Sequence, residues 1–452
     1  MTGFPPASRM GWISAAAKRR SSFCLVAIAL VACRQSPREP VTLSFTHGWS
    51  SQHNELSKVA ELSQQFTRET GIDVKSIPTP ENTLDTLELW HKLLPEGSSG
   101  TDLLRPDLIW SSDLEPDLID LRPYFASEIS SLDPALLPGY TVNGKLVAIP
   151  YRVSVGVLEY RADLLREYGY DHPPKTWDEL ESMAARIQAG ERAKGKKDFW
   201  GYVWQGADAE ALTCNALEWQ VAEGGGRIIE DDRTISVNNP AAIRAWQRAK
   251  SWIGWISPPS VVAYRELDTI NVFDSGGAAF NRVWGGATIT RGGLSRQIHW
   301  RSSLQVGKVG YASIPRGPGG WAGTLGGSGL AVSRHSAHLQ EAIELVRFLI
   351  RAQIHSNEEE EGAYASQPEL HDRPSVSDPH SQSAKSSQQK SDVVSRPSSV
   401  TADKYERVAR AYMGTVHSVL IGQKSAPEAA SELEKELVKI TGFRTGPPKG
   451  AD

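Results

Sequence analysis

Residues 41–78 read VTLSFTHGWSSQHNELSKVAELSQQFTRETGIDVKSIP, and this stretch decides the fold class of the chain. Apolar and polar residues alternate over 41–45, which is the period of a strand with one buried face. Apolar residues over 56–66 return every three or four positions, which predicts an amphipathic helix that stops at Gly71. A second strand is predicted over 72–77. Strand, helix and strand at this spacing indicate a βαβ unit, and therefore an α/β fold whose parallel sheet is covered by helices.

Similar patterns continue along the rest of the chain. Thr176 and Glu179 stand ahead of an apolar stripe, which predicts a capping box at the start of a helix. Further strands are predicted at 108–110, 153–160, 307–315 and 324–333, and further helices over 240–256, 339–351, 405–416 and 429–440.

The tract 357–399 differs from the rest in composition. It begins with a run of glutamates over 358–361 and continues with prolines and repeated Ser, Gln and Lys. Its apolar content is too low to offset an ordering cost of about 1–2 kcal/mol per residue. We expect much of this tract to be mobile, and we interpret the glutamates as a solvated charge run rather than a cation site.

The N-terminus has the order of a secretory signal peptide. A basic patch at 18–20 precedes a short apolar run that ends at Cys33. The apolar core is about ten residues, roughly half of the length that spans a bilayer. The order resembles a bacterial lipobox, which implies that Cys33 becomes the lipidated first residue of an exported, membrane-anchored protein. An uncleaved anchor is the alternative, and either Met1 or Met10 is the start.

Composition narrows the function classes. The formal net charge is −4 and no basic stripe dominates, so nucleic acid is not expected as a partner. Cys24 lies in the leader and Cys33 is the proposed lipid site, so Cys214 stands alone and no disulfide is expected. The chain contains 14 tryptophans, whose faces commonly stack on sugar rings, although most are expected to fill the core.

No catalytic motif is found. HExxH, P-loop and GxSxG patterns are missing from the sequence. His335 and His338 lie close together but have no further ligand at metal spacing, so neither a metal nor a cofactor is expected. A carboxylate pair for glycoside hydrolysis would come from distant positions and stays open.

Several collinear motifs give a resemblance to a known family. They are FWGYVWQG at 199–206, LTCNALEW at 212–219 and GGG at 224–226, together with motifs at 144–150, 160–165, 173–180, 277–284, 325–327 and 396–397. In this order they resemble the family 1 extracellular solute-binding proteins of ABC sugar importers, in particular the trehalose/maltose-binding branch.

The resemblance implies a type II periplasmic binding protein fold with two α/β lobes and a ligand cleft between them. One lobe would comprise 41–150 and 287–350, and the other 151–286 and 351–452. A di- or oligosaccharide would close the lobes, and the closed form would deliver it to the membrane permease. The protein would work in the periplasm or on the outer face of the cytoplasmic membrane.

The resemblance also implies a set of ligand-binding residues. Trp284 matches the stacking tryptophan of the family, and Arg396 matches an arginine in the cleft. Glu55 or His53 stands where the family offers a polar group, and Trp49 is expected at the same edge.

Other cleft positions depart from the family pattern. The aspartate expected after the third strand falls on Ser112, with Asp113 next to it, and an expected aspartate is replaced by Ser154 after Arg152. Loss of a buried carboxylate partner costs about 1.5–3 kcal/mol. The usual Pro-Tyr after Trp284 is Gly285-Gly286, and a common aromatic is Ser328. The ligand therefore differs from trehalose and maltose, or affinity is low.

Three functions follow from these observations. We favour a sugar-capturing receptor without catalysis. The alternatives are a binding-protein fold reused as a sensor for a non-sugar or altered ligand, and an exported glycoside hydrolase on a lipid anchor.

Overall fold

The computed structural model describes residues 41–47, 53–80, 82–130, 134–290, 293–295, 308–365 and 393–449. The predicted leader, including Cys33, lies outside these residues. The strands are β1 Thr42–His47, β2 Asp73–Pro78, β3 Leu103–Arg105, β4 Thr141–Val142, β5 Lys145–Leu146, β6 Ile149–Arg161, β7 Trp200–Val203, β8 Ala278–Thr290, β9 Gly293–Ser295, β10 Val309–Ser313, β11 Gly323–Val332 and β12 Val393–Val394.

The helices alternate with these strands. They are α1 His53–Thr70, α2 Thr83–Leu93, α3 Ser111–Leu114, α4 Ala126–Ser130, α5 Ala162–Glu167, α6 Trp177–Ala193, α7 Glu210–Ala222, α8 Pro240–Trp252, α9 Glu266–Asp274, α10 Leu339–Ala365, α11 Ser398–Thr401, α12 Tyr405–Leu420 and α13 Ala426–Thr441.

The main sheet has the strand order β2-β1-β3-β11-β6-β8-β7. The predicted βαβ unit is confirmed, because β1 and β2 pair in parallel and α1 connects them. The prediction of a parallel sheet is wrong for the middle, where β11 pairs antiparallel with both β3 and β6, and β6 pairs antiparallel with β8. The long strands β6, β8 and β11 therefore join the two parallel ends of the sheet.

Residues 309–320, which precede β11, pack on the second half of β6 and on the helices beside it. β10 pairs with the residues 157–161 of β6, and Arg316 exchanges backbone contacts with the start of α6. Gly319 donates its N–H to the carbonyl of Ala222 at the end of α7. Residues 309–320 thus belong with α5 to α7 in space.

The predicted strand at 108–110 is wrong. The third strand is β3, and Leu108–Trp110 forms a 3-10 turn that begins at Asp107, whose side chain accepts from the N–H of Ile109. Pro106 lacks an N–H, so the strand ends before it. All three residues of the turn are buried, which explains why their apolar run has the appearance of a strand.

The helix ends follow the sequence signals closely. The Thr176 side chain caps α6 by accepting from the N–H of Glu179, but Glu179 reaches back to the N–H of Lys175 and not to that of Thr176. Asn239 caps α8, and Gly442 ends α13 with φ 75°, a left-handed conformation that favours glycine.

The polar tract 357–399 is structured at both ends. Residues 357–365 continue α10, because glutamate is a good helix former. From residue 393 the chain forms β12 beside β11, and Val394 and Arg396 are buried. The two ends of the tract therefore have regular secondary structure, while 366–392 lies outside the described residues, so the expectation that much of the tract is mobile stays a prediction.

Most of the described tryptophans fill the core, as expected. Trp252 packs edge-on or tilted against three others, with ring centroids 5.3–6.3 Å apart. The tryptophans that are fully buried are Trp90, Trp110, Trp177, Trp204, Trp219, Trp246 and Trp252.

A buried carboxyl group on β6 makes the stability of this core depend on pH. Glu159 accepts from the amide of Asn281 at 3.1 Å and from the hydroxyl of Tyr311 at 2.9 Å. Burial raises the pKa of Glu159 from 4.5 to about 7. Because the folded-state pKa is raised, the folded state binds this proton more tightly than the unfolded state does.

We expect the protonated Glu159 side chain to contribute fully to the unfolding free energy below pH 4.5. This contribution is lost as the pH rises to about 7. The loss amounts to about 3 kcal/mol of unfolding free energy. Glu159→Gln removes the titration, so urea unfolding from pH 4 to 8 should show a flatter profile for the variant. The exposed Glu61→Gln is the matched control and should follow wild type. Parallel profiles for Glu159→Gln and wild type would contradict the prediction.

Candidate functional site

Strand register brings four of the predicted ligand residues to one face of the sheet. Arg152 on β6 lies opposite Ser328 on β11, and Ser154 lies between Gly286 on β8 and Gly326 on β11. Trp284 lies opposite Gly156. Residues directly opposite each other in antiparallel strands project to the same face, and positions two apart on a strand also share it. Arg152, Ser154, Trp284 and Ser328 are all half-buried, so this face is accessible in part.

The floor of this face consists of small residues. A side chain at Gly326 would place its Cβ 2.8 Å from Cζ3 of Trp284 and 2.7 Å from Oγ of Ser154. The indole edge and Ser154 therefore occupy the space over Gly326. Gly286 and Ser328 lie on the same face, opposite Ser154 and Arg152.

Trp284 rests on a buried ion pair. The guanidinium carbon of Arg282 lies 4.1 Å from the centroid of the indole. Arg282 donates from Nη2 to Oε1 of Glu218 at 2.5 Å and from Nε to Oε2 at 3.1 Å. Both side chains have 0% exposure. The N–H of Thr324 on β11 donates to Oε1 of Glu218 at 3.0 Å. The indole is thus held by α7, β8 and β11 together.

Gly156 makes room for this ion pair. A Cβ at this position would lie 1.9 Å from Oε1 of Glu218 and 2.5 Å from Nη2 of Arg282. The carboxylate and the guanidinium therefore pass directly over the backbone of β6. Only glycine allows this approach.

Arg396 forms a second buried ion cluster. Its Nη1 donates to Glu210 at 3.1 Å and its Nη2 donates to Asp107 at 3.0 Å. The hydroxyl of Tyr405 also donates to Glu210. Burial by itself lowers the pKa of Arg396, but the Asp107 carboxylate and its other neighbours raise that pKa well above the ordinary value. Burial raises the pKa of Glu210. The charge of Arg396 is therefore committed to protein carboxylates.

The two ion clusters are built on α7, one at its first residue and the other about two turns further along. Glu210 contacts Arg396, and Glu218, two turns further along, contacts Arg282. The separation along the helix is roughly 12 Å. Cys214 lies between them on the same face and is fully buried, so burial raises the pKa of its thiol.

Of the other predicted residues, Asp113 lies on a helix and not on this face. Asp113 lies on α3 and pairs with His91 at 2.8 Å. Burial raises the pKa of Asp113, although His91 lowers it. Trp49 lies outside the described residues, as do the side chains of Glu55 and His53 in α1, so these assignments stay predictions.

Sequence reasoning missed the partners of the site. Glu218, Arg282, Glu210 and Asp107 were not among the predicted residues. One signal was available, because Glu210 and Glu218 are eight positions apart and are the charged residues of an otherwise uncharged helix. Charged residues on a buried helix face require partners.

A separate surface cavity of about 480 Å³ lies between the start of α8 and the C-terminal residues 445–448. None of the predicted ligand residues lines it. In the described ranges, no helix has the length and apolar character needed to cross a bilayer. The same residues bring together no group of three side chains that could hold a metal ion.

Comparisons with known proteins agree on one family. A family model described as bacterial extracellular solute-binding protein matches residues 50–355. A probable ABC transporter-binding protein of Deinococcus radiodurans is 37% identical over 420 residues, which cover 92% of this chain and 97% of the relative.

Solved structures agree with the sequence comparisons. The structure of T. maritima MalE3 with bound maltose is 29% identical, covers 88% of this chain and 100% of its own, and superposes with a TM-score of 0.72. An ABC transporter solute-binding protein from Thermotoga lettingae with bound alpha-D-tagatose is 20% identical and superposes with a TM-score of 0.71. The match covers 89% of this chain and 100% of that chain, and it shows a similar fold.

We expect Gly156→Ala to lower the unfolding free energy by about 3–5 kcal/mol, because the new methyl group forces apart a buried ion pair. Gly414→Ala in α12 is the matched control. A Cβ at Gly414 would lie 3.8 Å from Oδ1 of Asp208, which is an ordinary contact. The Gly414→Ala substitution should therefore stabilise the protein by about 0.5–1 kcal/mol. Urea unfolding of both variants measures the difference. Equal stability of Gly156→Ala and wild type would show that the pair can move aside.

Proposed function

The chain belongs to the bacterial extracellular solute-binding proteins, and we propose that it captures a di- or oligosaccharide for an ABC importer. The two-lobed α/β fold that the sequence resemblance implies is confirmed by the likeness to the maltose-bound MalE3 structure. The sugar class is supported by the maltose and tagatose in the related structures and by the chemistry of the sheet face that carries Trp284.

The observation that carries this proposal is the indole of Trp284 beside half-buried polar groups. A pyranose has an apolar face that stacks on an aromatic ring, and hydroxyls that need fixed donors and acceptors. Arg152 supplies charged donors, and Ser154 and Ser328 supply hydroxyls, on the same sheet face as Trp284. We propose these four residues as the core of the binding site, with Trp49 and Glu55 at its edge.

Arg396 has a different role in this proposal. Its side chain is 2% exposed, whereas that of Asp107 is 29% exposed. We propose that Arg396 orders the Asp107 carboxylate, which the bridge between Asp107 and Ser328 places next to the sugar floor. A carboxylate held in this way accepts hydrogen bonds from sugar hydroxyls. The site then binds its ligand without catalysing a reaction.

Closure of the two lobes completes the proposed mechanism. We assign 41–150 and the region around 324–350 to the first lobe, and 151–286, 309–320 and the C-terminal helices to the second. The assignment of 309–320 follows its contacts with β6, α6 and α7. The strands β6 and β11 then run between the lobes, where small backbone changes produce a hinge motion. Binding would favour the closed form, which the permease recognises.

Trp284→Ala should weaken sugar binding by ten- to a hundredfold, about 1.4–2.7 kcal/mol, because the stacking face is lost. A thermal-shift screen of mono-, di- and oligosaccharides identifies the ligand for wild type, since a ligand at 100 times its Kd adds about 2.7 kcal/mol. Calorimetry then compares the variants. Trp255→Ala is the matched control, because Trp255 is 46% exposed and is not among the proposed ligand residues.

A flat response of folded wild-type protein across the whole panel would contradict sugar binding. The hypothesis that the protein is a sensor for a non-sugar or altered ligand would then be preferred. Turnover of a disaccharide by the wild-type protein would instead support the glycoside hydrolase.

We also propose that Cys33 carries a lipid that anchors the protein at the membrane. Cells grown with an alkyne fatty acid should label wild type and the Cys24→Ser variant. The Cys33→Ser variant should lack the label and should not sediment with membranes. The leader cysteine Cys24 is the matched control, since it lies nine residues from Cys33. Equal labelling of Cys33→Ser and wild type would exclude this anchor.

A further inference from the structure

Trp284 is half-buried, yet one side of its ring is occupied by a group with no exposure at all. The Arg282 guanidinium lies 4.1 Å from the ring centroid and is itself fixed by both oxygens of Glu218. Glu218 is fixed in turn by the N–H of Thr324. The ring therefore rests on a planar cation that cannot turn without breaking these hydrogen bonds.

The second constraint on the ring is its edge. Cζ3 and Cε3 of Trp284 lie on one edge of the six-membered ring, and both approach the position where a Cβ of Gly326 would be, at 2.8 and 3.2 Å. The indole thus fits between the cation and the bare backbone of β11. A different rotamer of Trp284 would leave the face of Arg282 without its partner.

Stability alone does not account for a charge pair in this place. Removing two charges from water is costly, and an apolar pair of similar volume is often as stable or more stable. In the described surroundings Arg282 also leaves its Nη1 without a hydrogen-bond partner. The geometry instead suits a role in which the direction of the planar guanidinium matters.

We propose that Glu218 and Arg282 are positioning residues that fix Trp284 as a stacking platform with a single ligand-facing side. This inference rests on the proposed function, because it takes the indole as the sugar-stacking surface. A cation on one face of an aromatic ring attracts the ring and holds it in place. The ligand then meets a ring that is already ordered, and binding does not have to immobilise this side chain.

The test replaces the pair by neutral groups of similar length, Glu218→Gln with Arg282→Met. Glutamine keeps an acceptor for the N–H of Thr324, and methionine fills the volume under the ring without a planar cation. Ordering one side chain accounts for roughly a two- to tenfold change in affinity. We therefore expect the Kd of the double variant, for the sugar identified in the thermal-shift screen, to rise within that range. In the Trp284→Ala background the same replacement should change Kd less than twofold, because the platform is already gone.

A spectroscopic measurement separates positioning from general destabilisation. In full-length protein labelled with 5-fluorotryptophan, the 19F resonance of Trp284 is assigned by its loss in Trp284→Phe. Without ligand, the pair replacement should shift and broaden this resonance and leave that of Trp255 unchanged. Glu128→Gln, which breaks the ion pair with Arg347 away from the site, is the control and should alter neither the Trp284 resonance nor Kd.

The proposal would be overturned if the double variant folds and its Trp284 resonance does not move. It would also be overturned if the folded double variant binds the sugar with the Kd of wild type. If the double variant does not fold, Arg282→Lys keeps the charge beside Glu218 but loses the planar stack, and it should give the same shift. Wild-type protein that binds no sugar overturns the proposed function, whereas the ligand-free 19F shift still decides whether the pair orients the ring.

Discussion

The buried ion pair between Glu218 and Arg282 is the interaction on which the organisation of the site depends. It joins α7 to β8 through a bidentate contact and to β11 through the N–H of Thr324. It requires a glycine at position 156 on β6, so all three long strands of the sheet are constrained by one pair of side chains. A buried pair that loses one partner leaves an uncompensated charge, which makes the arrangement all-or-none.

The helix α7 extends this constraint along the sheet. Its buried face carries two carboxylates about two turns apart, Glu210 and Glu218, and each pairs with its own arginine. Arg396 comes from the segment after β12, far along the chain, and connects Glu210 to Asp107 beside the third strand. The helix therefore fixes the distance between Trp284, the proposed stacking platform, and the carboxylate of Asp107. A rigid spacing of this kind suits a ligand with an apolar ring at one end and hydroxyls at the other.

The sequence resemblance selected four residues that the structure places on one face of the sheet, but it did not select the charged side chains packed against them. Arg152, Ser154, Trp284 and Ser328 come from three strands, and the register of β6 with β8 and β11 places them on one face. Asp113 was expected beside them because the resemblance implies an aspartate after the third strand, yet Asp113 follows a 3-10 turn and pairs with His91. Arg396 was expected in the cleft as a ligand-binding residue, and the structure gives it two carboxylate partners. Pairing of distant charges depends on tertiary contacts that no local pattern contains.

By itself, the sequence determined the α/β class, the βαβ unit at 41–78, the caps at Thr176 and Asn239 and the two closing helices. These features depend on hydrophobic periodicity and on hydrogen bonds between residues close in the chain. Only the tertiary structure decided that the middle of the sheet is antiparallel, that 309–320 packs on β6, and that Glu218 pairs with the Arg282 guanidinium on the face of Trp284. Strand order and buried ion pairs depend on which distant segments meet when the core forms, and the energy of such contacts is set by burial and geometry rather than by local sequence.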